Sequence, residues 1–273
     1  NKLFEGFFLV LSFINNINFV IMKKIIKNIL KYFDYEIISK NSWHKRQENY
    51  ISEISEEELN ILKKIRNFSM CSVPNHWAIF QSMKHISSNN IEGDLVEAGV
   101  YKGGNLMLIN YLNNVLKLSK KIYAYDTFEG MPLENKKYDF DLKNKSASES
   151  RKAYKNNDWC LASLDEVKMN LKNLDQNYEE NIIFVKGKVE ETLNQTNNIP
   201  EKISFLRLDT DFYDSTKKEL EVLYPKLQKN GILIIDDYGH WKGSKKAVDD
   251  YFGSDKKFRF FHRIDYASRL YIK

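Results

Sequence analysis

The sequence predicts an α/β fold: a doubly wound, mostly parallel β-sheet that ends in an antiparallel C-terminal hairpin and is preceded by N-terminal helices. Three observations support this fold class. From residue 93 onward, short apolar runs alternate with segments of helical periodicity. A glycine-rich turn follows the first apolar run, as at the ligand-binding edge of such sheets. Two later apolar runs each lead directly into aspartates, which parallel strands would bring to the same edge.

Length and composition are those of an ordinary globular protein. The 273 residues suffice for one large domain or two small ones, and 42% hydrophobic residues permit a substantial core. The net charge of +5 is modest and the lysines are scattered, so we expect no nucleic-acid partner. Cys71 and Cys160 lie outside any zinc-binding spacing and cannot form a disulfide framework, which fits a cytoplasmic protein.

The N-terminal region divides into two predicted segments. Residues 1–22 are apolar but short for a spanning helix, which needs about 20 predominantly apolar residues. We interpret the first 21 residues as an upstream extension that is not part of the native protein, which would begin at Met22; a membrane anchor is the alternative. Lys23–Tyr35 has helical spacing and a lysine-rich face. This helix could contact the inner membrane face peripherally, or it could pack on its own domain or on a second subunit of a homo-oligomer.

Residues 23–92 are predicted to form a helical cap, and residues 93–273 the main domain. Within the cap, helices are expected at Glu56–Phe68 and His76–Ile86, and Pro74 interrupts the pattern between them. In the main domain, the predicted strands are Asp94–Gly99, Lys121–Asp126, Ile182–Lys186, Ile203–Asp209, Gly231–Asp236, Phe258–Ile264 and Arg269–Ile272. The predicted helices lie near Asn105–Val115, Leu164–Leu174, Val189–Thr192, Ser215–Gln228 and Ser244–Phe252.

One connection is too long for a minimal strand–helix unit. Residues 127–160 link the second strand to the next helix and carry six aromatic or methionine side chains among many charges. Loops of this length in a compact domain are usually functional lids or mobile insertions. The apolar side chains favour a lid that orders over a ligand.

The glycine-rich turn predicts the first half of a binding site. Gly99, Gly103 and Gly104 open a helix after the first strand, with Val100 and Tyr101 between them. This spacing is neither a P-loop nor Gly-x-Gly-x-x-Gly. Glu97 precedes the turn, and a carboxylate there suits an ammonium group better than a pyrophosphate. An amino-acid-bearing nucleoside, S-adenosylmethionine, meets that requirement.

Two further strand ends extend this half. Asp126 ends the second strand, where an acidic side chain commonly accepts hydrogen bonds from ribose hydroxyls. The alternative is an ordinary aspartate that caps Thr127 or Phe128. The third strand leads into Gly187 and Lys188, whose backbone groups would lie near the adenine.

Four aspartates predict the second half. Asp209 and Asp211 follow one buried run, and Asp236 and Asp237 follow the next. Parallel strands would place all four at one rim, where like charges repel unless a proton or cation intervenes. Hard divalent cations prefer oxygen ligands. We therefore expect a Mg²⁺-type site beside the cofactor cleft.

Five ordered motifs resemble the macrocin O-methyltransferase family over residues 65–273. They are Glu-Ala-Gly-Val-Tyr-Lys-Gly-Gly at 97–104, Tyr-Asp-Thr-Phe-Glu-Gly-Met-Pro at 125–132, Leu-Asp-Thr-Asp-Phe-Tyr-Asp-Ser-Thr at 208–216, Leu-Tyr-Pro-Lys-Leu at 223–227 and Asp-Asp-Tyr-Gly-His-Trp-Lys-Gly at 236–243. The resemblance implies a Rossmann-like methyltransferase that uses S-adenosylmethionine and Mg²⁺ to methylate a hydroxyl of a small glycosyl substrate, in a surface glycan or a secondary metabolite.

A similarity to metal-dependent catechol O-methyltransferases implies Asp209, Asp236 and Asp237 as metal ligands. Asp211 matches no ligand there, and Phe212 replaces the lysine found three residues after the first metal aspartate in those enzymes. The general base is therefore open between His240 and Asp211.

Two other functions compete with this hypothesis. One is a nucleotide-dependent dehydrogenase of sugar metabolism, although its glycine fingerprint is incomplete. The other is a non-catalytic protein of glycan assembly that associates with the membrane through residues 1–35.

Overall fold

The computed structural model describes residues 19–32, 50–154, 158–174, 178–253 and 257–273. The chain divides into two compact units, residues 1–50 and 51–273. In the first unit, helix α1 spans Phe19–Tyr32, so it begins four residues before the predicted helix. The predicted extension up to residue 18 and the last three predicted helical positions lie outside the described residues. No helix in the described ranges combines the length and apolar character needed to cross a bilayer.

The second unit is built on a seven-stranded sheet of order β3-β2-β1-β4-β5-β7-β6 among the described residues. Strands β1 to β5 pair in parallel, and β7 pairs antiparallel with β5 and β6. The predicted fold class, with its antiparallel C-terminal end, is therefore confirmed. The strands are β1 Asp94–Ala98, β2 Ile122–Asp126, β3 Ile182–Lys186, β4 Ile203–Leu208, β5 Leu227–Ile235, β6 His262–Arg263 and β7 Arg269–Ile272.

Helices of the second unit precede the sheet and connect its strands. Side-chain caps define the starts of the first two: Ser55 and Glu58 form a capping box, and Ser72 accepts from the backbone N–H of Asn75. The helices are α2 Glu56–Ile65, α3 Val73–Ser88, α4 Gly104–Val115, α5 Ala147–Arg151, α6 Leu164–Leu174, α7 Val189–Thr192, α8 Tyr213–Val222 and α9 Lys242–Gly253.

Three predicted boundaries were wrong. Pro74 does not interrupt a helix but lies in the first turn of α3, where a missing N–H costs nothing. Helix α8 ends at Val222, because a 3₁₀ turn at Tyr224–Lys226 intervenes before β5 begins. Only His262–Arg263 of the predicted strand over Phe258–Ile264 pairs with its neighbour.

The centre of the sheet forms the core and aligns the strand ends. Every residue of β4 is buried. It pairs with β1 through Ala98 and Leu208 and with β5 through Leu208 and Ile235. The residues that follow these three strands therefore leave the sheet side by side.

Candidate active site

Backbone hydrogen bonds hold the strand ends in register one residue beyond the sheet. The N–H of Asp209 donates to Ala98 O at 2.8 Å, and the N–H of Asp236 donates to Leu208 O at 2.9 Å. The N–H of Gly99 donates to Tyr125 O at 2.8 Å. The glycine turn and the two aspartate loops consequently meet at one edge of the sheet, as the sequence predicted.

Gly99 is required by both conformation and space. Its φ is +88°, in the region that side chains disfavour. A Cβ atom at this position would lie 1.9 Å from the carbonyl oxygen of Asp209. The turn after β1 can therefore pass directly beside the loop after β4 only because residue 99 has no side chain.

Asp126 fastens the glycine turn to β2. Its Oδ2 accepts from the N–H groups of Val100 at 2.7 Å and Tyr101 at 3.1 Å, and its Oδ1 accepts from Phe128 N–H at 2.7 Å. The expected cap of Phe128 is therefore present. Oδ2 thus already accepts two hydrogen bonds, and Oδ1 also accepts a long one from the Thr127 hydroxyl at 3.4 Å, so a ribose contact at Asp126 stays a prediction.

The other predicted cofactor residues separate into two groups. Gly99, Val100, Tyr101, Gly187 and Lys188 line the main cavity together with Asp126. Glu97, Gly103 and Gly104 are not among its lining residues. A Cβ at Gly104 would lie 2.7 Å from Phe68 O, so this glycine allows α4 to start against residues 68 and 69. Glu97 is fully buried and contacts Arg207.

Arg207 is the main site residue that the sequence reasoning missed. It lies in the apolar run of β4, and its side chain is fully buried. The guanidinium forms ion pairs with Glu97 at 3.2 Å, Asp209 at 2.7 Å and Asp236 at 3.0 Å. An arginine inside an otherwise apolar strand was the available signal, because a buried charge requires partners.

Two of the three predicted metal ligands, Asp209 and Asp236, are brought together, and Cys71 joins them in place of Asp237. Ligand atoms of Cys71, Asp209 and Asp236 all lie within 4.8 Å of one another. Oδ2 of Asp237 accepts from the N–H of Asp211 at 3.2 Å, which places the third predicted ligand beside the first loop. Asn75 and Ser268 donate to Oδ1 of Asp236, the latter at 2.9 Å, and neither residue was predicted.

The pKa values of the aspartates in this cluster are shifted in different directions. Burial raises the pKa of Asp209 well above its usual range; Arg207 acts against this shift, and Asp236 and Asp237 add to it by repulsion. Burial also raises the pKa of Asp237, with Asp211 and Asp236 adding repulsion. Burial acts in the same direction on Asp236, but Arg207 and the hydrogen bonds of Asp236 hold its pKa below the usual value. One guanidinium thus fails to neutralise the whole cluster.

This donor set fits a hard divalent cation. The contacts with Arg207 use Oδ2 of Asp209 and Oδ1 of Asp236, so each carboxylate retains a second oxygen. Burial is the main cause of the raised pKa of Asp237, followed by repulsion from Asp211 and Asp236, and a nearby cation would favour the charged carboxylate against both. Asp209, Asp236 and Asp237 are therefore suited to hold Mg²⁺ through oxygen ligands.

Both base candidates line the same cavity. Asp211 has a φ of +65°, and burial with repulsion from Asp209 raises its pKa to about 7. The Nδ1 of His240 lies 3.3 Å from the hydroxyl of Tyr266, and burial lowers the pKa of His240. The backbone N–H of Asp211 donates to the carboxylate of Asp237, whereas the backbone N–H of His240 donates to the carbonyl of Asp237 and its ring contacts Tyr266.

The predicted lid packs onto the site through aromatic side chains. Trp159 lies 6.2 Å from Phe212 and 6.1 Å from Trp241 between ring centroids. The N–H of Lys242 donates to Phe140 O at 2.8 Å. Asp139 accepts from Tyr213 N–H at 2.9 Å, and burial raises its pKa to about 6. Within the described ranges 127–154 and 158–160, this segment is therefore joined to the loops that carry the aspartates.

The cavity enclosed by these elements has a volume of about 510 Å³. This lies within the range of small-molecule sites, about 300–1,000 Å³. Its walls come from the glycine turn, the aspartate loops, the lid and the 265–268 turn between β6 and β7. One space therefore connects the predicted cofactor and metal halves.

Comparison with known families identifies the chain. The sequence profile described as macrocin-O-methyltransferase matches residues 67–273. The chain belongs to this family.

Demethyldecarbamoylnovobiocin O-methyltransferase of Streptomyces niveus is 32% identical over 176 residues, covering 63% of each chain. A tetracenomycin-C rhamnosyl 4'-O-methyltransferase of Streptomyces olivaceus is 26% identical, covering 70% of this chain and 66% of the relative. The chain thus spans slightly less than two thirds of the length of these relatives.

Solved structures agree with the family assignment. The O-methyltransferase NovP aligns with a TM-score of 0.65 and 27% identity, covering 76% of this chain and 82% of NovP. The calicheamicin methyltransferase CalS11 aligns with a TM-score of 0.60 over 88% of this chain; at 18% identity it shows the fold alone. The resemblance stated from the motifs is confirmed, and the dehydrogenase and non-catalytic alternatives gain no support.

Proposed function

We propose that this protein is an S-adenosylmethionine- and Mg²⁺-dependent O-methyltransferase that acts on a hydroxyl of a sugar or a glycosylated small molecule. One observation supports this most strongly. Aspartates from the ends of neighbouring strands β4 and β5 have ligand atoms within 4.8 Å of one another, and they line one cavity with the glycine turn after β1. The named activities of the family relatives supply the acceptor class.

The chain's own residues would orient the two reactants. The turn at Gly99–Tyr101 and the carboxylate of Asp126 would hold the methyl donor, while Asp209, Asp236 and Asp237 would hold the cation. A bound Mg²⁺ lowers the pKa of an acceptor hydroxyl and fixes its direction. Such alignment of two reactants can supply about 7–11 kcal/mol of the barrier reduction. The aromatic wall around Trp159 and Trp241 would exclude water.

Asp211 and His240 are the two candidates for removing the acceptor proton. A base must lie within hydrogen-bond reach of that proton, and both side chains line the cavity. We favour Asp211, because its backbone N–H contacts the carboxylate of the proposed metal ligand Asp237, whereas that of His240 contacts only the Asp237 carbonyl. If this is right, Asp211→Asn lowers kcat by about 100-fold or more and His240→Asn lowers it by about tenfold or less. The opposite ranking would assign the base to His240.

The decisive experiment is methyl transfer by the full chain with labelled S-adenosylmethionine. Nucleotide-linked sugars, lipid-linked sugars and glycosides serve as acceptors. We expect transfer that stops on chelation and returns with Mg²⁺, and we expect Asp236→Asn to lose turnover while still binding S-adenosylhomocysteine. Turnover that survives exhaustive chelation would exclude the metal-dependent mechanism.

We also propose that α1 contacts anionic membrane surfaces and that the protein self-associates. Lys24 and Lys27 are exposed on α1, as are Ile29 and Tyr32, a combination typical of interfacial helices. Co-sedimentation with phosphatidylserine vesicles should weaken in the Lys24→Glu/Lys27→Glu variant. Light scattering of the same samples measures the oligomeric state, and a monomer at all concentrations would contradict self-association.

A further inference from the structure

One buried guanidinium connects four segments of the second unit. Nη1 of Arg207 contacts Oε1 of Glu97 at 3.2 Å and Oδ2 of Asp209 at 2.7 Å. Nη2 contacts Oδ1 of Asp236 at 3.0 Å and Sγ of Cys71 at 3.1 Å. Each terminal nitrogen therefore contacts two acceptors. These acceptors belong to β1, the loops after β4 and β5, and the segment between α2 and α3.

The surroundings of Arg207 resemble a cation site that the protein itself fills. Cys71, Asp209 and Asp236 form the group of possible metal ligands found within the described part of the chain. All three contact the guanidinium. These three ligand atoms are therefore next to a resident positive charge, and Asp209 and Asp236 would each still have a second oxygen to offer to a metal ion.

We propose that Arg207 is the positioning residue that assembles the magnesium site. Its planar guanidinium joins Asp209 to Asp236 before the cation binds and so fixes the separation and the orientation of the two carboxylates. Glu97, fully buried on β1, anchors the same terminal nitrogen that contacts Asp209. This inference rests on the proposed metal-dependent function and adds the device that forms its metal site.

Physical chemistry separates this role from a simple charge effect. A guanidinium repels a divalent cation, so by charge alone Arg207 would weaken metal binding. Positioning acts in the other direction, because two carboxylates held in place need no rearrangement when the ion arrives. Burying an arginine with its partners is also costly and is weak evidence for a role in stability. The sign of the change in metal affinity on substitution therefore distinguishes the two roles.

Arg207→Lys is the informative substitution. Lysine keeps the positive charge, but its single nitrogen cannot reproduce two planar terminal nitrogens with two contacts each. A loss of metal affinity in this variant therefore reports geometry and not charge. Arg207→Gln removes the charge, and under a charge-only role it would bind the cation more tightly than the wild type.

The experiment measures Mg²⁺ and Mn²⁺ binding to the full chain by calorimetry, without cofactor or acceptor. We expect Arg207→Lys and Arg207→Gln to bind both ions at least about tenfold more weakly, because the two carboxylates must then be ordered by the ion itself. S-Adenosylhomocysteine affinity should stay within about threefold, because the groups of the glycine turn keep their own partners. Leu220→Ala, a core substitution that alters neither Arg207 nor a proposed metal ligand, controls for general destabilisation; it should lower the melting temperature and leave metal affinity unchanged.

The outcomes separate this inference from the proposed function. A wild type that binds metal, with Arg207→Lys binding it equally well, overturns the role of Arg207 alone. A wild type that binds neither ion overturns the metal-dependent function and this inference together. Should the variants fail to fold, a crystal structure of the metal-free wild type still decides the matter: Arg207 bridging Asp209 and Asp236 supports the inference, and separated side chains refute it.

Discussion

The two halves of the candidate site satisfy their polar groups in opposite ways. In the cofactor half, Asp126 accepts three backbone hydrogen bonds from Val100, Tyr101 and Phe128, so the glycine turn is complete within the protein. In the metal half, acidic side chains crowd around the single guanidinium of Arg207, and burial and mutual repulsion raise the pKa of Asp209 and of Asp237. We call the cofactor half closed, because the carboxylate of Asp126 finds its hydrogen-bond donors within the protein. The metal half has more negative than positive charge and remains short of positive charge.

This difference indicates how each half should respond to its ligand. A closed half is already formed and should bind its ligand with little change in protein stability beyond mass action. In a half that lacks positive charge, ligand binding should increase protein stability by more than mass action, because a divalent cation also reduces the repulsion among the carboxylates of the metal-free protein. Substitutions that remove a negative charge but keep the shape of the side chain, such as Asp→Asn, should therefore affect the two halves differently.

The largest effect is expected for Asp237→Asn. This change keeps the shape of the side chain but removes one of the repelling charges and one proposed ligand. Turnover should fall by about 1,000-fold or more, as expected when a transition-state interaction is lost. In chelator, however, the variant should be at least as stable as the wild type, because a strained negative charge is gone. Thermal unfolding with and without Mg²⁺ measures this.

The exposed Asp250→Asn on α9 provides the matched control, since its carboxylate contacts Lys246 and the hydroxyl of Tyr213, neither of which is a proposed metal ligand. It should change neither turnover nor the stabilisation by Mg²⁺. An Asp237→Asn protein that is markedly less stable in chelator would mean that the metal half is not short of positive charge.

The second-largest effect is expected for Asp126→Asn, which tests the closed half. An asparagine offers one acceptor oxygen and places an N–H₂ group against backbone donors that the carboxylate now accepts. S-Adenosylhomocysteine should bind about 100-fold more weakly, because hydrogen bonds to a charged group contribute about 1.5–3 kcal/mol each. Calorimetry with S-adenosylhomocysteine and with Mg²⁺ on the same sample measures both halves. A parallel loss of Mg²⁺ affinity would show that the halves are one coupled unit.

The contrast also explains what could be predicted from the sequence. Strand ends, the glycine turn and the clustering of Asp209 with Asp236 and Asp237 follow from periodicity and from the geometry of parallel sheets. The role of Arg207 did not, because its partners are distant in sequence and no spacing rule connects Cys71, Glu97 and Asp236. For the same reason Glu97 was predicted to face an ammonium group, whereas in the structure it contacts Arg207.

Predicted helix and strand boundaries were wrong where the same sequence feature is compatible with two different local structures. Pro74 was taken to interrupt a helix, but proline is equally suited to a first helical turn once Ser72 provides the cap. At the other end of the chain, the apolar run at 258–264 looked like a full strand, but Phe258 and Phe260 are exposed and only two residues pair with β7. Sequence periodicity does not reveal whether a neighbouring strand is present.

A third prediction tests whether His76 can carry a positive charge in the folded protein, in addition to the charge of Arg207. Burial, followed by the proximity of Arg207, lowers the pKa of His76 to about 4. Because the unfolded chain then binds the proton more readily, protonation of His76 reduces stability as pH falls from about 6.5 to 4. The loss should reach about 2 kcal/mol at pH 5 relative to pH 8, and His76→Gln should lack it. Urea denaturation of both proteins at the two pH values isolates this contribution, and equal losses would show that folding does not lower the pKa of His76.

The smallest effect concerns the lid, which borders both halves. Trp159 lines the cavity and packs against Phe212 and Trp241, so Trp159→Phe keeps an apolar ring but loses the larger surface. We expect the KM of the acceptor to rise about fivefold with kcat nearly unchanged, the sign of lost uniform binding. S-Adenosylhomocysteine and Mg²⁺ affinities should stay within about twofold, because neither half draws a polar contact from this side chain. If kcat fell instead, Trp159 would help to align the reacting groups. The lid would then have to be counted as a third part of the site, beside the cofactor half and the metal half.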